Sequence, residues 1–102
     1  MYLIQIFLPL RDNAGRRIAA QHFERLAQQL GDRFGGLTAY VRAPATGLWK
    51  KSGRRTDRDQ MVIYEVMSPR LERQWWGRQR IRLEGIFRQE KILIRSLGVT
   101  QL

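Results

Sequence analysis

One carboxylate in this sequence stands where it could take part in chemistry. Glu65 lies in the apolar segment QMVIYEVM, and an ionised carboxylate in such surroundings needs a hydrogen-bonding or cationic partner. Arg95 and Arg42 are the guanidinium groups that can supply one. Glu65 is therefore the candidate for a general base or a ligand anchor. The alternative, which we favour, is an interfacial ion pair between Glu65 and one of these arginines.

Aromatic and cationic side chains form a second group of candidates. Trp75, Trp76 and Arg80 share a segment with helical spacing, and adjacent helical residues diverge by about 100°. Only one of the two tryptophans can therefore point to the core, and the other marks the rim of a pocket between helix and sheet. Core packing alone is the alternative. The candidate ligand-binding residues are Trp75, Trp76, Arg80, Trp49, Tyr40, Arg42 and Asn13.

A basic cluster suggests a different partner, the phosphate backbone of a nucleic acid. Its members are Lys50, Lys51, Arg54, Arg55 and Arg58. A solvated loop tip is the alternative interpretation. RNA-recognition modules of similar topology stack bases on aromatic residues of their central strands, but QMVIYEVM lacks the basic-Gly-aromatic pattern that they use. Nucleic acid is accordingly the less favoured partner.

The sequence offers few residues for a metal site or for cysteine-based catalysis. The sequence has one histidine, His22, and no cysteine, so a zinc site or a thiol nucleophile is not expected. It also lacks a Gly-rich phosphate loop, a G-x-S-x-G elbow and an H-E-x-x-H motif. We expect no metal and no permanent cofactor, and the absence of cysteine is compatible with a cytoplasmic location.

Length and charge set further bounds. The 102 residues are enough for a single domain spanning 1–102, and no apolar stretch approaches the roughly 20 residues of a membrane span. Nineteen Lys and Arg against nine Asp and Glu give a net charge of +10. Such a charge favours anionic ligands or surfaces.

The apolar periodicity places these candidates on six elements. Segments with strand character cover 2–9, 37–43, 60–67 and 92–97. Helical spacing runs from about Arg17 to Phe34, where Gly35 and Gly36 end it, and again after Ser68 and Pro69, which we expect to cap the second helix. The order predicts an α+β, ferredoxin-like βαββαβ fold, with a four-stranded antiparallel sheet and both helices on one face.

Strand alternation then assigns the two faces of the sheet. The face beneath the helices carries Ile4, Ile6 and Leu8; Leu37, Ala39 and Val41; Val62, Tyr64 and Val66; and Ile92 and Ile94. The open face carries Leu3, Gln5 and Phe7; Thr38, Tyr40 and Arg42; Met61, Ile63, Glu65 and Met67; and Leu93, Arg95 and Leu97. Because the open face is too apolar to be left in water, we expect a homodimer with the two sheets face to face.

In this element order and apolar open face, the chain resembles the dimeric α+β barrel group of ferredoxin-like proteins. More narrowly, FGGLTAYVRAPATGLWK, VIYEVM and the helical pair Trp75-Trp76 look like short bacterial proteins of unassigned function. The wider group includes monooxygenases without a cofactor, haem-degrading enzymes, isomerases and ligand-sensing domains. The resemblance therefore implies a fold and a homodimer with a pocket that binds or transforms a small anionic or aromatic molecule, and it leaves open whether the chain is an enzyme. Besides a nucleic-acid-associated protein, a purely structural interaction domain is the remaining alternative.

Overall fold

The computed structural model describes residues 1–42 and 60–102. The elements follow in the order β1 (Tyr2–Pro9), α1 (Ala20–Phe34), β2 (Thr38–Arg42), β3 (Met61–Ser68), α2 (Arg73–Ile86) and β4 (Ile94–Gly98). The four strands form one antiparallel sheet in the order β2-β3-β1-β4. This is the predicted βαββαβ arrangement of the ferredoxin-like α+β fold.

Strand β1 occupies the centre of the sheet, as its apolar run indicates. It pairs with β3 on one side and with β4 on the other, so that Ile4 lies beside both Val66 and Ser96. Side chains alternate between the two faces of a strand. The core under the helices contains Ile4, Ile6, Leu8, Leu26, Leu30, Tyr64, Val66, Trp76, Leu83, Phe87 and Ile92. On the opposite face Phe7 and Ile63 are also buried.

Helix α1 buries one stripe of its surface and ends where the sequence predicts. Leu26 and Leu30 are buried, and Gly35 ends the helix in a left-handed conformation with φ of 79°. Glycine adopts this conformation without the steric cost of a Cβ. The start is later than predicted, at Ala20, because the preceding residues form a turn closed by a β-bridge between Arg11 and Arg17.

The predicted start of α2 is wrong. Ser68 does not cap a helix, because it is the last residue of β3 and pairs with Tyr2. Its hydroxyl donates to the backbone oxygen of Arg70 at 2.7 Å, which stabilises a turn. The helix begins only at Arg73. Pairing in the sheet has overridden the local preference of serine for a helix N-terminus.

The edge strands depart from the predicted pattern in smaller ways. Strand β4 begins at Ile94, two residues later than predicted. Val41 was assigned to the core face, yet it is 63% exposed, because β2 is an edge strand beyond the cover of the helices. Within the described residues, no helix has the length and apolar character needed to cross a membrane.

Candidate functional site

A pocket of about 230 Å³ opens between α2 and the edge strand β4. Ile4 and Ile94 of the sheet contribute apolar groups, and the polar lining residues come from both α2 and β4. The lining consists of Ile4, Leu71, Arg73, Trp76, Gly77, Arg80, Ile94, Arg95 and Ser96. We call it the α2–β4 pocket. Two of the sequence-predicted ligand residues, Trp76 and Arg80, meet here.

Trp76, which lines the α2–β4 pocket, carries a buried polar atom without a partner in the described part of the chain. The side chain is only 6% exposed, and its indole Nε1 is buried with no hydrogen-bond acceptor among the described residues. Buried donors are nearly always paired, and leaving one unpaired costs about 1–3 kcal/mol. An acceptor supplied by a bound molecule would recover that cost.

Arginines give the α2–β4 pocket a positive character. Arg73 and Arg80 both project from α2, and Arg80 donates to Oε2 of Glu84 at 3.0 Å. That carboxylate also accepts from the backbone N–H of Ile92 at 3.0 Å. The Ile92 hydrogen bond, together with Arg80, holds the pKa of Glu84 below its ordinary value. Arg73 has no carboxylate partner in the described part of the chain.

The two tryptophans take different roles, as expected for adjacent helical positions. Trp76 points inward and stacks on Phe34, with ring centroids 5.6 Å apart. Trp75 is the rim residue, half-buried, with the guanidinium of Arg33 3.9 Å from its ring centroid. It lines a separate, larger cavity between the two helices. The inward tryptophan, and not the rim one, therefore faces the α2–β4 pocket.

A hydrogen-bonded row of polar side chains crosses the open face of the sheet. Glu65, Gln5 and Arg95 are directly paired across β3, β1 and β4. The Nε of Arg95 donates to Oε1 of Gln5 at 2.7 Å, and Nε2 of Gln5 donates to Oε2 of Glu65 at 2.6 Å. The predicted contact between Glu65 and Arg95 is thus bridged by Gln5. The side chain of Arg42 lies outside the described residues.

Tyr40 completes this row. Its hydroxyl donates to Oε2 of Glu65 at 2.9 Å. Because that hydrogen bond and the adjacent negative charge favour the protonated phenol, the pKa of Tyr40 is raised, with a contribution from partial desolvation. We call Tyr40, Glu65, Gln5 and Arg95 the polar row. The guanidinium of Arg95 also lies 4.9 Å from the Phe7 ring centroid, on the same face.

The remaining candidates lie apart from the α2–β4 pocket. Tyr40 lies on the opposite face of the sheet, and Asn13 belongs to the turn before α1, where its N–H donates to the backbone oxygen of Arg88. The other predicted binding residues lie outside the described residues, namely Trp49, Lys50, Lys51, Arg54, Arg55 and Arg58. The predicted ligand residues that the structure describes therefore do not meet in one site.

Sequence reasoning missed Arg73 and Ser96 as lining residues. Helical spacing could have indicated Arg73, since positions 73, 76, 77 and 80 share one face of a helix. Ser96 could be found only from the register that places it beside Ile4. Among the described residues, no group of three His, Cys, Asp or Glu side chains is arranged to hold a metal ion.

The chain matches no protein-family model, no curated protein and no solved structure.

Proposed function

We propose that this chain binds a small anionic, aromatic molecule in the α2–β4 pocket. The observation that carries the proposal is the buried Nε1 of Trp76, which lacks an acceptor among the described residues although Trp76 lines the α2–β4 pocket. A carboxylate oxygen is a strong acceptor for such a donor. Arg73 and Arg80 favour the accompanying negative charge.

The apolar lining residues favour a ligand whose uncharged part is aromatic or otherwise flat and apolar. Ile4, Leu71 and Ile94 give apolar walls, and the volume of about 230 Å³ suits a small molecule. Small-molecule sites commonly combine apolar walls with a few polar groups. Among the described residues that line the pocket there is no carboxylate and no imidazole to move a proton, so the proposal is one of binding.

We propose in addition that two copies associate through the open face of the sheet. Leu93, Leu97 and Met67 lie on this face with exposures of 52%, 45% and 36%. Apolar groups gathered on a face without helices favour a protein partner, and a second copy is the simplest one. The resemblance to dimeric α+β barrels supports the same arrangement.

A titration followed by nuclear magnetic resonance tests the pocket. The three tryptophans of the chain each give an indole N–H signal in a nitrogen-15 correlation spectrum, and Trp75→Phe and Trp76→Phe assign them. We expect benzoate to move the Trp76 indole proton downfield, as a new hydrogen bond does, and the Trp75 signal much less. An unmoved Trp76 signal at millimolar benzoate contradicts the proposal.

Matched variants separate the pocket from general charge effects. Arg73→Gln with Arg80→Gln should weaken benzoate binding, whereas Arg70→Gln with Arg78→Gln, which removes the same charge elsewhere, should not. Gly77→Leu should block binding without altering any polar group, because a side chain at Gly77 meets no neighbouring atom within 4 Å and would occupy open space.

A further inference from the structure

A basic groove runs between the two helices. Three adjoining cavities form it, and each shares lining residues with the next: Leu26, Gln29 and Arg82 join the first two, and His22, Ile86 and Phe87 join the last two. Helix α1, which forms one wall, has 15 residues and is therefore about 22 Å long. We call this feature the interhelical groove.

The charge of the interhelical groove is strongly positive. In the described part of the chain, six arginines and two aspartates line its cavities. The arginines are Arg16, Arg17, Arg25, Arg33, Arg82 and Arg88. Glu72 neutralises Arg33 at 3.1 Å, and Asp12 lies 3.9 Å from Arg88. Within residues 1–42 and 60–102, the other four have no carboxylate at ion-pairing distance.

Arg82 is held at the middle of the interhelical groove by neutral groups. Its Nε and Nη2 donate to Oε1 of Gln79 at 3.0 and 2.7 Å, and Nη2 also donates to Oε1 of Gln29, across the groove, at 3.2 Å. The Nη1 atom has no partner among the described residues. Two amides therefore fix the orientation of this guanidinium and leave its charge uncompensated, which is an arrangement suited to phosphate.

We infer that the interhelical groove binds the phosphodiester backbone of a nucleic-acid strand. Four arginines without a carboxylate partner among the described residues, distributed over three adjoining cavities, fit a chain of phosphates better than one small anion. A membrane surface fits less well, because helices that lie on membranes present bulky apolar residues to the lipid. Here four of the bulky apolar residues that line the cavities are buried, with exposures of 3% or less, and so are not presented to lipid: Leu26, Leu30, Leu83 and Phe87.

The inference is tested with fluorescein-labelled single-stranded (dT)12, by fluorescence anisotropy over a range of NaCl concentrations. The wild type should bind with an affinity that falls steeply with salt. Arg25→Gln with Arg82→Gln should weaken binding about tenfold at low salt and reduce the salt slope by roughly 1.4, since each lost phosphate contact removes about 0.7 for single strands. Thermal melting checks that the variant is folded.

Arg70→Gln with Arg78→Gln is the matched control, because it removes the same two charges from exposed positions outside the three cavities. An equal loss in both double variants would mean attraction by net charge alone and overturn the inference. A loss only when Lys50, Lys51 and Arg54 are replaced by Gln would overturn it in favour of that cluster. Binding to phosphatidylserine vesicles but not to (dT)12 would overturn it in favour of a membrane surface.

Discussion

Gln5 and Glu65 lie directly opposite each other on the two central strands, and the side-chain amide of Gln5 donates to the Glu65 carboxylate at 2.6 Å. Because the oxygen of the same amide accepts from Arg95, Gln5 links a carboxylate and a guanidinium that do not touch. Gln5 is only 8% exposed. A buried amide can be accommodated there because its donor and acceptor both have partners.

The polar row predicts a change in the titration of Tyr40. Its hydrogen bond to Glu65 is the main reason why the Tyr40 pKa is raised. Glu65→Gln removes the negative charge, so the Tyr40 phenol should ionise at a lower pH than in the wild type. Ultraviolet absorbance of phenolate measures this, and Tyr40→Phe identifies the Tyr40 contribution. An unchanged Tyr40 titration would show that the hydrogen bond does not persist in solution.

Glu84 predicts a loss of stability in acid. The Ile92 N–H and Arg80 lower its folded pKa below the ordinary 4.5. Its stabilising contribution is therefore complete above that value and is lost as the pH falls through the folded pKa. Glu84→Gln should lower the urea midpoint at neutral pH, and the difference from the wild type should shrink in acid.

The control for Glu84 is Glu90→Gln, which alters an exposed carboxylate without a hydrogen-bond partner among the described residues. Its urea midpoint should match the wild type at neutral pH. A Glu84→Gln difference that stays constant from neutral pH to acid would contradict the assigned role of the charge.

Gly77 predicts a stabilising substitution. It lies inside α2, and a Cβ there would meet no atom within 4 Å. Gly77→Ala should therefore stabilise the protein by about 0.5–1 kcal/mol, because alanine loses less conformational entropy in a helix. Gly35→Ala should do the opposite, since Gly35 has a φ of 79°. Urea denaturation of both variants checks the prediction, and a destabilised Gly77→Ala would argue against an open pocket wall.

The proposed dimer predicts a change of mass on substitution at the open face. Leu93→Glu with Leu97→Glu introduces charges at exposed positions, so the monomer should still fold. Light scattering at micromolar concentration should give about twice the 12.1 kDa chain mass for the wild type and 12.1 kDa for the variant. Ile81→Glu, at a 64% exposed position on α2, should remain dimeric. A monomeric wild type would refute the dimer.

The sequence predicted the element order and the sheet faces because both depend on local periodicity. In β1 both the odd and the even positions are apolar, which predicts a strand buried on both faces. Ile4 and Phe7 are indeed buried on opposite faces of the sheet. The start of α2 was mispredicted because Ser68 pairs with Tyr2, which is 66 positions away in the chain and invisible to local rules.

The candidate site was harder to predict than the fold. The sequence predicts Trp76 and Arg80 near a pocket, but it does not decide which tryptophan points inward, because Phe34 contacts both and only Trp76 joins the buried core. The link through Gln5 depends on the registers of two strand pairs at once. Such registers follow from the whole sheet and not from any one segment.

The central position of β1 has a consequence for the order of events during synthesis. Its partners are β3, at Met61–Ser68, and β4, at Ile94–Gly98. At about 5–20 residues per second, several seconds pass between the emergence of β1 and that of its last partner. Until β3 emerges β1 has neither neighbour, and until β4 emerges one edge of this apolar strand stays unpaired, so the nascent chain exposes a strand edge that the finished sheet covers.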